Sequence, residues 1–114
     1  MTDERYRVLA LSLPGAIESS HMNHPDFRVG GRIFATLWPA RREGVVMLTP
    51  EQQEILTGAH PQWFSPAAGA WGRRGSTTIA LDDVDEEVLG HALEMAWRNK
   101  APRAIAAEYE RRMA

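Results

Sequence analysis

The sequence contains no cysteine among its 114 residues. This absence excludes disulfide bonds, thiolate nucleophiles and zinc sites built on cysteine. No apolar run approaches the roughly 20 residues that cross a bilayer, so we expect no membrane span. Residues 1–5 are polar and acidic where a secretory signal would be basic and then apolar, which favours a cytoplasmic location.

An excess of positive charge is missing as well. The 13 lysines and arginines are outnumbered by 15 aspartates and glutamates, and the formal net charge is −2. Proteins dedicated to duplex DNA usually carry a basic excess that neutralises phosphates. Any surface for nucleic acid must therefore be a local patch.

The sequence also lacks the residue sets that specify a reaction. None of its serines shows the setting of a nucleophile with a base in reach, and the glycines of residues 69–75 lead into a strand, unlike those of a phosphate-binding loop. His21, His24 and Asp26 could ligate a metal ion, but histidines between two strands more often fill or cap a turn, and no further ligands are evident. The sequence predicts a non-enzymatic protein with no metal site and no cofactor.

What the sequence does contain is a β-hairpin over residues 26–38, where apolar and polar residues alternate on both sides of Gly30 and Gly31. If these glycines formed the whole turn, Val29 would face Arg32 and the apolar sets would fall on opposite sides. A three-residue loop over residues 30–32 instead pairs Val29 with Ile33 and Phe27 with Ala35, and we favour this register. Its core face carries Phe27, Val29, Ile33, Ala35 and Leu37, and its opposite face carries Arg28, Phe34, Thr36 and Trp38.

The remaining patterns predict one domain over residues 1–114. Helices are indicated from Thr2 or Asp3 to Pro14, from the capping sequence at residues 49–52 to about Gly58, from Asp83 or Asp85 to Pro102, and over residues 103–112. Further strands are expected at residues 17–21, 44–48 and 77–81, whereas residues 61–75 read as a long loop. This order predicts an α+β fold with a single antiparallel β-sheet of about five strands and helices packed mainly on one face.

Four segments of the chain, in this order and spacing, resemble the MmcQ/YjbR family. They are LPGAIE at residues 13–18, HPDFRVGGRIFA at 24–35, LTPE at 48–51 and WGRRG at 71–75. The resemblance extends over about residues 6–102. It implies a fold like that of CyaY and of secretion chaperones. Members are commonly labelled as DNA-binding proteins by structural analogy, and the resemblance implies no catalytic residues.

Basic and aromatic residues form the candidate binding site. The hairpin and its exit contribute Arg28, Arg32, Trp38, Arg41 and Arg42, and the long loop contributes Trp71, Arg73 and Arg74. If the loop folds over the outer face of the sheet, guanidinium and indole groups share one surface suited to phosphate pairing and base stacking. In the alternative, the tryptophans are buried beneath the loop and fix its position, and the arginines are solvated and form no binding site.

Two functions remain open at this point. The first is a binding module that holds DNA on the basic and aromatic surface. The second is a protein-interaction or chaperone-like module with no nucleic-acid role, which could also form a homodimer through Phe34, Trp38 or the last helix.

Overall fold

A six-stranded antiparallel sheet forms the centre of the protein, and the computed structural model describes all 114 residues. The order of the strands in the sheet is β1-β2-β3-β4-β6-β5. A short 3-10 turn, Pro39–Arg41, lies between β3 and β4. The elements are α1 (Asp3–Leu11), β1 (Ile17–His21), β2 (His24–Val29), β3 (Arg32–Trp38), β4 (Glu43–Met47), α2 (Pro50–Ala59), β5 (Phe64–Pro66), α3 (Gly69–Arg73), β6 (Ser76–Ala80), α4 (Glu86–Lys100) and α5 (Arg103–Met113).

The core lies on the inner face of the sheet, where α4 contacts β3 and β4 and also packs on α1. Four apolar residues of α4 at helical spacing, Leu89, Ala92, Leu93 and Ala96, are buried there as the sequence predicts. Trp97 is buried beside them and donates a hydrogen bond from Nε1 to the carbonyl oxygen of Pro14 (2.9 Å). The α+β prediction with one antiparallel sheet is therefore confirmed. None of the helices is long and apolar enough to span a bilayer.

The hairpin of β2 and β3 combines features of both registers considered from the sequence. Phe27 pairs with Ala35 as predicted, but Val29 pairs with Arg32 and Arg28 with Ile33, so the turn is Gly30-Gly31 alone. The two pairings are compatible because the register shifts by one residue opposite Phe27 and Arg28, a β-bulge.

Because of this bulge, the faces predicted for Ile33 and Phe34 of β3 are wrong. Phe34 is the extra residue, and its side chain joins the core, whereas Ile33 lies on the outer face. The side chains of Phe34 and Ala35 are both buried, so two consecutive residues of one strand contribute to the same core. Alternation resumes afterwards, with Leu37 buried and Thr36 and Trp38 on the outer face.

The segment over residues 61–75 is not the unstructured loop that the sequence suggests. It contains β5, which pairs with β6 at the edge of the sheet, and the single-turn helix α3. Phe64 of β5 is buried in the core. Because both elements are very short, no helical or strand period could develop in the sequence. The sheet therefore has one strand more than the predicted five.

Candidate ligand-binding groove

A groove of about 730 Å³ lies on the outer face of the sheet, opposite the core helices. Outward-pointing side chains of β2, β3, β4 and β6 form its floor. Trp71 of α3, with Ala67 and Ala68 before it, and Arg41 of the 3-10 turn form parts of its walls. The apolar part of the floor consists of Ile33, Val45 and Met47, and hydroxyl groups are supplied by Thr36, Ser76 and Thr78.

A buried carboxylate, that of Asp26, binds two side chains that line one side of the groove. Asp26 is completely buried and accepts hydrogen bonds from Nε (2.8 Å) and Nη2 (3.0 Å) of Arg28. Nδ1 of His21 lies 2.7 Å from Oδ2 of the same carboxylate. The hydrogen bonds from Arg28 are the main cause that lowers the pKa of Asp26. Arg28 therefore lines the groove with its charge already paired.

Trp38 is held by neighbours on the same face. Its indole Nε1 donates a hydrogen bond to Oγ1 of Thr36 (3.0 Å), and the ring of His24 stacks on it with centroids 3.7 Å apart. The guanidinium of Arg41 lies over the indole, 4.7 Å from the ring centroid. Nδ1 of His24 is buried without a hydrogen-bond partner. Trp38 is thus a structural part of the groove wall, already contacted by an imidazole and a guanidinium.

Trp71 is the free aromatic side chain of the groove. It lies on α3, is 65% exposed and has no aromatic or cationic partner. The neighbouring Gly72 fixes the position of α3, because the carbonyl oxygen of Ala67 occupies the space where a Cβ would be. Gln53 of α2 also donates from Nε2 to the carbonyl oxygen of Gly72 (2.9 Å). A large exposed indole is therefore carried on a well-anchored backbone.

The ion pairs of the protein are unevenly distributed. Seven of the 13 basic side chains lie within 4.0 Å of a carboxylate. The six without such a partner are Arg32, Arg41, Arg73, Arg74, Lys100 and Arg103.

Some of these free cations lie in or next to the groove. Arg41 and Lys100 line it, and Arg73 and Arg74 follow Trp71 along the chain. Arg32 pairs with the core residue Val29, so its side chain lies on the opposite face of the hairpin from the groove. Arg103 follows Pro102, which packs against Gly30 at the hairpin turn. Among the carboxylates without an ion pair, by contrast, Glu43 alone lines the groove. The groove lining therefore has more unpaired cations than unpaired carboxylates, although the whole chain is slightly acidic.

The structure separates the six residues predicted for the site. Arg28, Trp38 and Trp71 line the groove, whereas Arg32, Arg73 and Arg74 are exposed and do not line it. Among the other arginines considered, Arg41 lies in the groove, and Arg42 pairs with Asp3 and Asp82.

Sequence reasoning missed Lys100 and Met22. Lys100 reaches the groove from the end of α4, and no local pattern points to this placement. Met22 lies at the turn between β1 and β2, where its 86% exposure follows from the two-residue turn that it forms with Asn23. An apolar residue at a turn position is the signal that could have indicated it.

Comparisons with known proteins agree on the family. A family model described as YjbR matches residues 11–99. The crystal structure of the Deinococcus radiodurans protein DR2400, described with the family-model domain DUF419, superimposes with a TM-score of 0.73 at 26% sequence identity. The match covers 84% of this chain and 75% of that one. No curated protein matches the sequence.

Proposed function

Since the chain belongs to the YjbR family, whose model matches residues 11–99, we propose that it is a non-enzymatic protein that binds DNA in the outer-face groove. The DNA-binding label attached to the family by analogy motivates the choice of ligand. The distribution of charge on this chain supports it independently.

The observation that carries the proposal is that two unpaired cations, Arg41 and Lys100, line the groove, with Arg73 and Arg74 next to its exposed Trp71 in the chain. An arginine that already pairs with a carboxylate has little attraction left for a phosphate, whereas an unpaired guanidinium can form charge-assisted hydrogen bonds with it. Arg41 and Lys100 are the unpaired cations in the lining of the groove, and Glu43 is its one unpaired carboxylate. A local cationic surface of this kind attracts phosphates even though the net charge of the chain is −2.

Binding without catalysis is consistent with the chemistry of the groove. The two histidines of its lining are engaged in structure, since His21 contacts the buried carboxylate of Asp26 and His24 stacks on Trp38. No hydroxyl group of the floor has a base within hydrogen-bonding distance. The side chains left free are two cations, the carboxylate of Glu43, an indole and a thioether, and no hydrogen bond or ion pair joins Glu43 to a second titratable group.

Fluorescence anisotropy of short labelled DNA, measured from low to near-physiological salt, tests the proposal. We expect binding that weakens steeply with salt because phosphate contacts release counterions. Removing one cation that contacts a phosphate should reduce the slope of the logarithm of the binding constant against the logarithm of the salt concentration by about 1. The variants are Arg41→Ala and the double change Arg73→Ala/Arg74→Ala.

The matched control is the double change Arg111→Ala/Arg112→Ala, which removes two arginines of α5 that pair with Glu108 outside the groove. This control should leave binding within about twofold, since its charges are already paired. Absence of binding at low salt, or binding equally reduced by both double variants, would contradict the proposal.

A protein-interaction role is the second candidate, and the edge strand β1 favours it. β1 pairs only with β2, and all five of its residues are exposed. Ile17 is 59% exposed, and the ion pair between Arg7 and Glu18 (3.2 Å) brings α1 beside this strand. An open, partly apolar edge can accept a strand of a partner or of a second copy.

Of the contact residues expected from the sequence, Phe34 is buried in the core and is not available to a partner, whereas Trp38 is half-buried and the last helix has no buried residue. Analytical ultracentrifugation over a range of concentrations tests self-association. The change Ser20→Pro should abolish it, because the two-residue turn at Met22-Asn23 directs the amide of Ser20 away from β2. A monomer at every concentration would contradict the homodimer form.

A further inference from the structure

We infer that the groove selects single-stranded over duplex DNA, with unpaired bases on its floor and on Trp71 and with phosphates at its cationic rim. The inference rests on the proposed function and adds the strand state of the ligand. It follows from the shape of the groove, the chemistry of its floor and the positions of the free side chains.

The shape of the groove does not suit a duplex. Proteins read the major groove with a projecting helix or a two-stranded ribbon. Here the outer face is a concave site, bordered by α3 and by the 3-10 turn, and no long helix projects from it. A volume of about 730 Å³ is that of a site for a compact ligand, and it accommodates a few nucleotides of a flexible strand.

The floor offers contacts that only unpaired bases can use. Ile33, Val45 and Met47 form an apolar surface against which the flat face of a base can pack. The hydroxyl groups of Thr36 and Thr78 lie among them and can hydrogen-bond with the base edges. In a duplex the faces are stacked and the pairing edges are occupied, so these side chains would remain without contacts.

Trp71 supplies the stacking platform. Its exposed indole has no partner within the protein, whereas Trp38 is already contacted by His24 and Arg41. Stacking of a base on an aromatic side chain tolerates any sequence, because every base has a π-face. Single-strand binding at this groove should therefore depend on Trp71 and have little sequence preference.

The two unpaired cations that line the groove lie at opposite ends of β4. Arg41 precedes the first residue of this strand, Glu43, whereas Lys100 follows Asn99, whose side chain donates to the carbonyl oxygen of Met47 at the other end (3.0 Å). Five strand residues extend over roughly 13 Å. One extended strand can therefore place separate phosphates at Arg41 and Lys100 with bases on the floor between them.

The test compares a labelled ten-nucleotide deoxythymidine strand with a ten-base-pair duplex at the same low salt concentration, using fluorescence anisotropy. We expect the single strand to bind at least about tenfold more tightly. Trp71→Ala should weaken single-strand binding at least about fivefold and change duplex binding less than about twofold. Trp71→Phe keeps an aromatic ring for stacking, so it should retain most of the single-strand affinity of the unchanged protein.

The matched control is Ile55→Ala on α2, because Ile55 is exposed to the same fraction as Trp71, 65%, but lies outside the groove. Circular dichroism of each variant verifies that it is folded. Equal affinity for the two DNA forms would overturn the inference and leave the proposed function standing. Single-strand binding that is unaffected by Trp71→Ala would also overturn it, and absence of binding to either form would overturn both.

Discussion

The guanidinium of Arg28 is bound by the carboxylate of Asp26 through two hydrogen bonds, at 2.8 and 3.0 Å. The two residues lie on the same face of β2, two positions apart, and the carboxylate is buried while the guanidinium is about one-third exposed. This pair stabilises the outer face of the sheet and takes one arginine out of the set available to a ligand.

Replacing Asp26 should change how stability depends on pH. The pKa of Asp26 is lowered in the folded protein, chiefly by the hydrogen bonds from Arg28. The stabilisation is therefore complete above the unfolded pKa of about 3.9 and is lost as the pH falls through the folded pKa. We expect Asp26→Asn to cost about 1–3 kcal/mol at pH 7 and to flatten the loss of stability below about pH 4.

Urea denaturation between pH 3 and pH 7 measures this effect. Glu51→Gln is the control, because Glu51 is exposed and has no ion pair. An unchanged acid dependence in Asp26→Asn would show that this carboxylate does not contribute to stability.

Arg28→Ala and Arg41→Ala should have opposite effects on stability and binding. Loss of Arg28 leaves a buried carboxylate with one partner, so we expect a loss of about 1–3 kcal/mol in the free energy of unfolding and little change in DNA affinity. Arg41 is exposed and has no ion pair, so its loss should leave stability nearly unchanged and weaken DNA binding. Parallel denaturation and anisotropy experiments separate the two roles, and identical profiles for both variants would refute the distinction.

Phe34→Ala should be far more destabilising than Ile33→Ala. Phe34 is fully buried in the core, and truncation of such a side chain costs about 3–5 kcal/mol. Ile33 lies on the outer face and is half-buried, so its truncation should cost less than about 1.5 kcal/mol. Chemical denaturation of both variants tests the bulge directly, because the regular register predicted from the sequence requires the reverse order.

Two glycines should respond oppositely to alanine. A Cβ at Gly72 would collide with the backbone carbonyl of Ala67, so Gly72→Ala must displace α3 together with Trp71. We expect it to destabilise the protein by about 1–3 kcal/mol and to weaken single-strand binding. Gly90 lies within α4 with no neighbouring atom within 4 Å of the added carbon, so Gly90→Ala should stabilise the protein by about 0.5–1 kcal/mol. Thermal denaturation measures both, and similar changes in the two variants would contradict the packing described.

Elements with strong local signals were predictable. The capping box of Thr49 and Gln52, the cap of α4 at Asp85 and the strand at residues 17–21 are all present in the structure. The bulge at Phe34 was not predictable, because a single extra residue reverses the alternation without leaving a local sequence signal. β5 and α3 escaped prediction for another reason: they form only because β6 and α2 lie beside them.

The candidate site was predictable only as a set of residue types. The sequence indicates arginines and tryptophans near the hairpin, and the structure selects among them by their partners. The pairing of Arg28 with Asp26 could have been predicted from the sequence, because residues two positions apart in a strand lie on the same face. The position of Lys100 had none, because it depends on how the end of α4 packs beside β4.

The bulge at Phe34 makes the two faces of β3 separately adjustable. Because Phe34 and Ala35 both point into the core, the outer positions Ile33, Thr36 and Trp38 can be exchanged without emptying the interior. Substitutions on the outer face could therefore change ligand preference while the core residues that stabilise the fold stay the same. The same separation would allow related proteins to diverge in what they bind while keeping one scaffold.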